Sequence, residues 1–404
     1  MTCSAWAMHA IGDVCDLMYG KIIAKDRLRT TGYPVWSGYS VVGYHTTYMF
    51  EAPVVTITCR GVGGTGDIHL TPPNCWVTNL AIVVQPKDPN LLNTYYLYWA
   101  MQASDRRRLI TGSAQSQITI RHLQSHRIAV PPLGEQRAIA HILGALDDKI
   151  ALNQRMNATL EALARTIFTS WCVDCYPVRA KAAGCQPQGM DGALDELPRG
   201  WRIGSLDQIA TYQNGLTLQK FPPAGEAYLP VIKIAQMRKG DTQGSDRASV
   251  ALDPAYVVED GDVLFSWSGS LEVVLWCGGR GALNQHLFKV TSTHYPKWFY
   301  YLWTKHHLPR LRDIAASKAT TMGHIQRRHL GEARVLIPPG ELLSAMDAVI
   351  APLIETIIAN RRQSRTLAAI RDALLPKLLS GAVRVREAEQ MLVEVAPSSP
   401  IGCF

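Results

Sequence analysis

The sequence predicts an α+β protein with two similar mixed α/β domains, separated by two long helices that pair as an antiparallel coiled coil. Three observations predict this fold: an internal repeat, short β-rich runs in both halves, and apolar heptads. The clearest repeated positions, all 207 residues apart, are Ile150 and Ile357, Asn153 and Asn360, and Leu160 and Leu367. Solenoid repeats are roughly 20 to 50 residues long. A repeat at this much longer spacing indicates a duplicated domain, each copy followed by a helix.

The repeat also sets the predicted domain boundaries. We predict a first domain, a central helix, a linker, a second domain, a distal helix and a tail, over residues 1–130, 131–171, 172–204, 205–336, 337–381 and 382–404. The chain of 404 residues leaves each domain long enough to bury a core of its own. From about Arg386 the tail is expected to be disordered, as chain termini often are.

Each domain carries the signature of short strands followed by a helix. Runs rich in β-formers lie at residues 54–58, 77–84, 262–266 and 286–290, between clusters of Gly, Pro and Asn. An aromatic stretch with helical spacing follows in each domain, at 95–99 and 298–303, and we expect it to pack in the core. Gly20 and Gly215 occupy matching positions near the start of the two domains.

Apolar heptads predict that the two long helices pair with each other. The repeating positions are Ile139, Leu146, Asn153, Leu160 and Ile167 in the central helix and Met346, Leu353, Asn360, Leu367 and Leu374 in the distal helix. Ile142, Met156 and Leu163 in the central helix and Val349 and Ile370 in the distal helix are assigned to the intermediate apolar positions. Heptads sustained over four repeats favour a coiled coil, and an Asn at a core position fixes register. Two independent helices in two separate cores remain the alternative.

The distribution of charge points to a polyanion. The formal net charge is +8, and residues 1–130 and 205–336 each hold +4, whereas the remaining segments are neutral. Lys and Arg contacts to phosphate supply most nonspecific affinity for nucleic acids. Charge that serves only solubility is the alternative interpretation.

Basic and amide side chains in both domains are the candidate DNA contacts. In the first domain they are Lys21, Lys25, Arg27, Arg29, Arg60, Arg106, Arg107, Arg108, Gln115, Gln117 and Arg121. In the second domain they are Gln219, Lys220, Lys233, Arg238, Lys239, Lys318, Arg327 and Arg328.

Other classes of site find little support in the sequence. The run at 61–66 satisfies G-x-G-x-x-G, but two prolines follow it where a dinucleotide-binding fold needs a helix. Cys172, Cys175 and Cys185 lack a second pair or a nearby His, so we expect no metal site and no catalytic residues. Without a long uninterrupted apolar run or a secretory leader, the chain is expected to be cytoplasmic and free of membrane contact. Nine cysteines without disulfide spacing agree with a reducing compartment.

Two segments resemble a known family, the specificity (S) subunits of type I restriction-modification systems. PPLGEQRAIAHILGALDDKIALNQRMNATLEALARTIFTSW at 131–171 is similar to the family's central conserved region. IPPGELLSAMDAVIAPLIETIIANRRQSRTLAAIRDALLPKLLSG at 337–381 is similar to its distal region, although it lacks the Gln that follows Glu135 in the first copy. LPRGW at 197–201, GDVLFSWSG and NQHLF extend the resemblance to nearly the whole chain.

The resemblance implies a DNA-binding subunit without catalytic activity of its own. Each domain would recognise one half of a split double-stranded target, and the helices would set the gap between the halves. Two modification (methyltransferase) subunits that bind S-adenosylmethionine, and restriction subunits that use ATP and magnesium, would be its partners, and the chain itself would bind no cofactor. The alternative is a coiled-coil scaffold or adaptor without sequence-specific DNA recognition.

Overall fold

The computed structural model describes residues 6–60, 64–105, 109–111, 116–175, 197–317 and 323–395, with side chains described as far as residue 390. The chain divides into two compact units. Unit 1 contains Met1–Lys149 and Leu367–Phe404, and unit 2 contains Ile150–Thr366. Both unit boundaries fall inside a long helix, so each unit combines one mixed domain with segments of both long helices.

Unit 1 contains three small sheets. Its strands are β1 (Met8–Ala10), β2 (Cys15–Tyr19), β3 (Tyr33–Trp36), β4 (Val41–His45), β5 (Val55–Thr58), β6 (Ile68–Leu70), β7 (Trp76–Val77), β8 (Ala81–Pro86) and β9 (Arg127–Ala129). Helices α1 (Ile11–Val14), α2 (Thr94–Ala103) and α3 (Ile120–Gln124) lie between them, and α4 (Leu133–Phe168) follows. The sheet orders are β2-β8-β5-β6, β4-β3-β7 and β1-β9.

Unit 2 repeats this plan. Its strands are β10 (Arg202–Ser205), β11 (Thr211–Asn214), β12 (Leu229–Ile232), β13 (Arg247–Ala248), β14 (Val257–Val258), β15 (Val263–Ser266), β16 (Val273–Leu275), β17 (Gly281–Leu283), β18 (Leu287–Thr291) and β19 (Arg334–Ile337). Its helices are α5 (Leu206–Ile209), α6 (Ile234–Lys239), α7 (Lys297–Ser317), α8 (Arg328–Gly331) and α9 (Gly340–Ser380). The sheet orders are β11-β18-β15-β16, β13-β12-β17-β14 and β10-β19.

The two domains are therefore copies of one fold. Strand for strand, the three sheets of unit 1 have counterparts in unit 2, and β14 is the one addition among the described strands. The predicted β-rich runs are confirmed as β5, β7 with β8, β15 and β18. The α+β fold class is confirmed as well.

The aromatic stretches form core, as predicted. Tyr96 is fully buried in α2 of unit 1, and Trp298, Phe299 and Trp303 in α7 of unit 2 are each at most 1% exposed. Rings of this size bury roughly 150–250 Å² each and dominate the energetics of a core. α2 and α7 therefore fasten the sheets to the rest of each unit.

The long helices α4 and α9 pair antiparallel. In unit 2, Asn153 Nδ2 donates to Gln363 Oε1 at 2.9 Å, and Asn360 Nδ2 donates to Asn157 Oδ1 at 3.0 Å. As numbers rise along α4, those of the partners on α9 fall. In unit 1, the Arg371 guanidinium of α9 donates a hydrogen bond to the Asp147 carboxylate of α4 at 2.5 Å. This contact is also antiparallel in order, because a lower number on α4 meets a higher number on α9.

One part of the heptad assignment was wrong. Ile142 is buried and Ile370 is partly buried, but Met156, Leu163 and Val349 are 39%, 46% and 41% exposed, so these three do not face the partner helix. The second set of inward positions lies one residue later. Its members are Leu143, Asn157, Ala164, Ile350 and Ile357, all buried. The first set holds better: Ile139, Leu146, Asn153, Met346 and Leu374 are buried, and Leu160, Ile167, Leu353, Asn360 and Leu367 are partly buried.

Helix α9 departs from the expectation that the chain has no membrane-spanning candidate. By length and composition alone this helix could cross a membrane. Its apolar face, including Met346, Ile350, Ile354 and Ile357, is buried in the core of unit 2. That core accounts for part of the apolar composition of the helix, since 28% of its most apolar 18-residue stretch is buried.

The prediction of a disordered tail from Arg386 was wrong for its first part. Helix α10 (Val385–Val395) follows α9, and Ala388 on it is buried in the core of unit 1. Trp6 donates from Nε1 to Leu378 O at 3.4 Å, and the Arg384 guanidinium lies 4.3 Å from the centre of its ring. Residues 396–404 lie outside the described part of the chain.

We expect His307 to make unit 2 sensitive to mild acid. This side chain of α7 is buried and its Nε2 donates to Arg334 O at 2.8 Å, and burial lowers its pKa from 6.5 to about 4. As the pH falls below 6.5, the unfolded chain takes up a proton on this histidine while the folded chain does not. The free energy of unfolding is therefore highest above pH 6.5 and decreases towards pH 4, by up to about 3 kcal/mol. Unfolding free energies at pH 7, 5 and 4 should decline less steeply for His307→Gln. The exposed His294→Gln control should keep the slope of the natural chain, and an equal slope for His307→Gln would contradict the assignment.

Candidate nucleic-acid interface

One surface feature occurs at the same place in both domains. Arg60, just after β5, forms an antiparallel bridge with Gln117, and Ser268, just after β15, forms one with His324. The neighbouring hydrogen bonds also match: Ile118 N donates to Cys59 O at 2.9 Å, and Ile325 N donates to Trp267 O at 3.0 Å. In each copy the bridge joins the end of a buried strand to the segment that enters a short helix. Such junctions on a rigid sheet are where binding residues concentrate.

In the first domain, polar groups surround this bridge. Arg60 and Gln117 are exposed, and the Tyr39 hydroxyl donates to Arg60 O at 3.5 Å. Partial burial and the nearby Asp67 carboxylate raise the pKa of Tyr39, which therefore keeps its proton at neutral pH. Thr65 Oγ1 donates to Ser116 O at 3.2 Å across the neighbouring loops. The exposed Arg60 guanidinium and Gln117 amide are therefore the groups that this surface offers to a ligand.

In the second domain, the bridge borders a cleft of about 500 Å³. Its lining includes Arg238, Glu272, Arg312 and the loop from Gly269. Arg312 donates to Glu272 Oε2 at 2.8 Å and to Leu271 O at 3.0 Å, so its guanidinium is held in place. Arg238 is exposed at the rim and forms no ion pair with any described residue. It is the side chain best placed here to meet an incoming phosphate.

The predicted contacts of the first domain are accessible wherever the structure describes them. Lys21, Lys25, Arg27, Arg29, Arg60, Gln117 and Arg121 are all exposed. Arg106, Arg107, Arg108 and Gln115 lie outside the described residues. Arg121 corresponds to Arg328 of the second domain at the repeat offset, and both begin short helices at exposed positions. Their role in DNA binding stays a prediction.

The predicted contacts of the second domain are less uniform. Gln219, Lys220, Arg238, Lys239, Arg327 and Arg328 are exposed, Lys233 is half-buried, and Lys318 lies outside the described residues. Lys233 pairs with Asp246 at 2.5 Å and Lys239 with Asp241 at 3.1 Å. Arg327 donates to Tyr212 O at 3.2 Å, so its guanidinium takes part in the packing of the domain itself. Contact with DNA stays a prediction for all of them.

Ion pairs fasten the second domain to α9, and sequence reasoning missed them. Arg365 forms a two-pronged pair with Asp260, at 2.7 and 2.6 Å. Burial alone would raise the pKa of Asp260, but hydrogen bonds from Arg365 and the Gly279 amide lower it. Glu161 of α4 likewise has a lowered pKa despite burial, because Lys305 donates a hydrogen bond to it. Partners about a hundred residues apart leave no local signal in a sequence.

The surface of β3 and β4 was also missed. Tyr33, Val41, Val42 and Tyr44 are exposed there, close in sequence to the basic residues after β2. Aromatic residues interleaved with Lys and Arg between residues 18 and 48 were the available signal.

The described residues offer little to a metal ion or a dinucleotide. They contain no group of three His, Cys, Asp or Glu side chains placed to hold a metal. Cys172 and Cys175 are buried cysteines, and burial raises the pKa of Cys172. Of the glycine run at 61–66, the described part, from Gly64, leads into strand β6 rather than a helix.

The two copies of the domain each carry a polar surface at the same place, and the two long helices pair with each other. These features define a binding protein with two similar binding domains. Residues 4–162 and 198–364 match the family described as the type I restriction modification DNA specificity domain. The chain therefore belongs to that family, with one copy of the domain in each half.

Known proteins agree with this assignment. The chain is 27% identical to the type I restriction enzyme MjaIX specificity subunit of Methanocaldococcus jannaschii, over 72% of this chain and 69% of the relative. It is 24% identical to the type I restriction enzyme HindI specificity subunit of Haemophilus influenzae, over 77% and 82% of the two chains. The crystal structure of a type I restriction-modification S subunit from M. genitalium shares the fold, with a TM-score of 0.64, 16% identity and coverage of 93% and 96%.

Proposed function

We propose that the chain is the DNA specificity subunit of a type I restriction-modification complex and that each domain recognises one half of a bipartite target. The observation that carries this proposal is the repeated bridge, at Arg60 with Gln117 and at Ser268 with His324, in two copies of one fold. Two copies of one scaffold with different exposed side chains suit two different half-sites. The excess positive charge of both domains supports a duplex as the ligand.

The chain acts without catalysis in this proposal. Two methyltransferase subunits dock on it, bind S-adenosylmethionine and transfer the methyl groups. Restriction subunits that use ATP and magnesium join the larger complex, and the assembly works in the cytoplasm. The specificity subunit contributes the choice of site. The exposed Arg60 and Gln117 at the first bridge are a cation and an amide suited to DNA, and at the second bridge the Ser268 hydroxyl and the His286 ring lie 2.9 Å apart.

The test is to express the chain with its methyltransferase subunits in cells that lack other DNA methylation and to map methylated bases across the genome. We expect one split target, with two specified half-sites and an unspecified gap of fixed length. The purified chain alone, incubated with DNA, S-adenosylmethionine and magnesium, should neither methylate nor cleave. Methylation at one continuous site, or activity of the chain alone, would contradict the proposal.

A scaffold without sequence recognition is distinguished by binding experiments. The buried apolar seam of α4 and α9 would serve such an adaptor equally well. The complex should bind its mapped target at least about a thousandfold more tightly than a scrambled duplex, as specific DNA-binding proteins do. Equal affinity for both duplexes would favour the scaffold.

A further inference from the structure

Among the described residues, the first domain exposes more large apolar side chains than the second domain does. Large apolar side chains from Met18 to Tyr48 supply nine of the exposed positions among the described residues: Met18, Tyr19, Ile22, Tyr33, Tyr39, Val41, Val42, Tyr44 and Tyr48. The edge strand β4 is the clearest case, since Val41, Val42 and Tyr44 are 41%, 48% and 37% exposed. A contiguous apolar surface of this kind marks a binding site more often than it serves folding.

Positive charge lies directly beside this strand. Arg29 and Tyr44 exchange backbone hydrogen bonds of 2.8 and 3.0 Å, so the basic segment from Lys21 to Arg29 reaches the outer side of β4 at Arg29. Its Lys21, Lys25 and Arg27 are exposed, as is Arg29, and none of the four forms an ion pair with a described residue. At its other end the segment is tied to β7, because Trp76 Nε1 donates to Lys21 O at 3.1 Å.

This combination fits a DNA groove better than a protein or a lipid surface. The major groove of B-DNA, about 12 Å wide, admits a two-stranded β-ribbon. β3 with β4 is an antiparallel ribbon, and its further neighbour β7 pairs with β3 at two residues, Val35 and Trp36. Thymine is the base that presents a methyl group there, and apolar side chains read it. Flanking cations then meet the phosphates. An apolar protein partner would leave the four free cations without a role.

We propose that the β3–β4 ribbon of the first domain enters the major groove of one half-site and that Val41 and Val42 read thymine methyl groups, while Lys25, Arg27 and Arg29 contact phosphates. The inference rests on the proposed function and specifies the chemistry of one half-site. The matching strand of the second domain, β13, presents Arg247, whose guanidinium lies 4.3 Å from the centre of the Tyr228 ring. An arginine there suits guanine, so the two half-sites differ in the bases that they require.

The experiment removes methyl groups from the DNA and from the protein in turn. The complete methyltransferase complex is titrated with its mapped target and with duplexes in which single thymines are replaced by uracil, which lacks only the methyl group. Replacing one or two particular thymines of one half-site should each lower the affinity about threefold to fivefold. This ratio corresponds to the free energy of burying one methyl group. Val41→Ser with Val42→Ser should bind the thymine duplex about as weakly as the natural chain binds the uracil duplex, and should no longer distinguish the two.

Matched controls separate this effect from loss of fold or of partners. Leu91→Ser in the first domain and Val250→Ser in the second change equally exposed side chains, at 45% and 50%, and should keep the thymine preference. Thermal unfolding and the size of the complex should be unchanged for the double variant. A variant that loses its methyltransferase subunits would overturn the inference, because the ribbon would then be a protein contact.

The two proposals fail in different ways. If the natural complex distinguishes its target from a scrambled duplex but the double variant keeps the full thymine preference, the ribbon inference is wrong and the proposed function stands. If the natural complex does not distinguish the duplexes at all, the proposed function itself is wrong.

Discussion

Replacing Gly215 with alanine is expected to destabilise unit 2 by more than about 4 kcal/mol, since a side chain there would collide with backbone. A Cβ on Gly215 would lie 2.2 Å from Asn284 O and 2.5 Å from Leu283 O, far inside van der Waals contact. Backbone carbonyls of a sheet cannot move aside as a flexible side chain can, so the cost exceeds that of ordinary overpacking. Gly20 is in the same position in unit 1, 2.2 Å from Thr78 O and 2.4 Å from Val77 O.

Thermal and denaturant unfolding of Gly20→Ala and Gly215→Ala measure this cost. Gly225→Ala is the matched control, because a Cβ there meets nothing within 4 Å and its backbone needs no positive φ. We expect its stability to stay within about 1 kcal/mol of the natural chain. The described approach of the strands would be wrong if Gly20→Ala and Gly215→Ala had unfolding free energies as close to that of the natural chain as the control has.

Gln136→Leu should cost unit 1 about 3–6 kcal/mol. The fully buried Gln136 side chain donates to Leu91 O at 2.8 Å and Pro131 O at 2.7 Å, and accepts from Asn93 N at 2.8 Å. Leucine has a similar size but leaves three backbone groups unpaired, and each costs about 1–3 kcal/mol. The second copy has Leu343 at the corresponding place, half-buried and packed on the apolar core of unit 2.

The measurement is again the free energy of unfolding, together with protection of the Asn93 amide from hydrogen exchange. Gln154→Leu, at an exposed position of the same helix, is the control and should change stability by less than about 0.5 kcal/mol. Unchanged protection of Asn93 in Gln136→Leu would exclude the role assigned to the glutamine.

The repeat made most of the fold predictable, because two copies of a pattern confirm each other. Matching strands, the aromatic helices and the pairing of α4 with α9 were all visible as patterns repeated in the two halves. The second inward set of heptad positions was missed because Asn157 and Ala164 do not look like core residues, whereas the exposed Met156 and Leu163 do. Which residues of a helix are buried depends on where its partner helix packs. The sequence shows the hydrophobicity of each residue but not the position of the partner.

The candidate interface was predictable only as a set of charges. The sequence located basic residues in both domains, but it did not show which of them already bind other groups of the protein. Arg327 donates to a backbone oxygen of its own domain, and Lys233 pairs with Asp246. Contacts such as Asp260 with Arg365 join residues 105 positions apart, beyond any local pattern.

The arginines of α9 decide how freely the second domain can be exchanged. Arg361 donates to Leu275 O at 2.9 Å and Arg365 to Cys277 O at 2.5 Å, and every amino acid provides such a carbonyl. The side chains of the domain that bond to the helices include Asp260, Lys305, Lys297, Trp298 and Tyr301. A foreign domain grafted onto these helices can therefore differ at its other surface positions, provided that it brings matching partners to these places and an apolar face for the shared core.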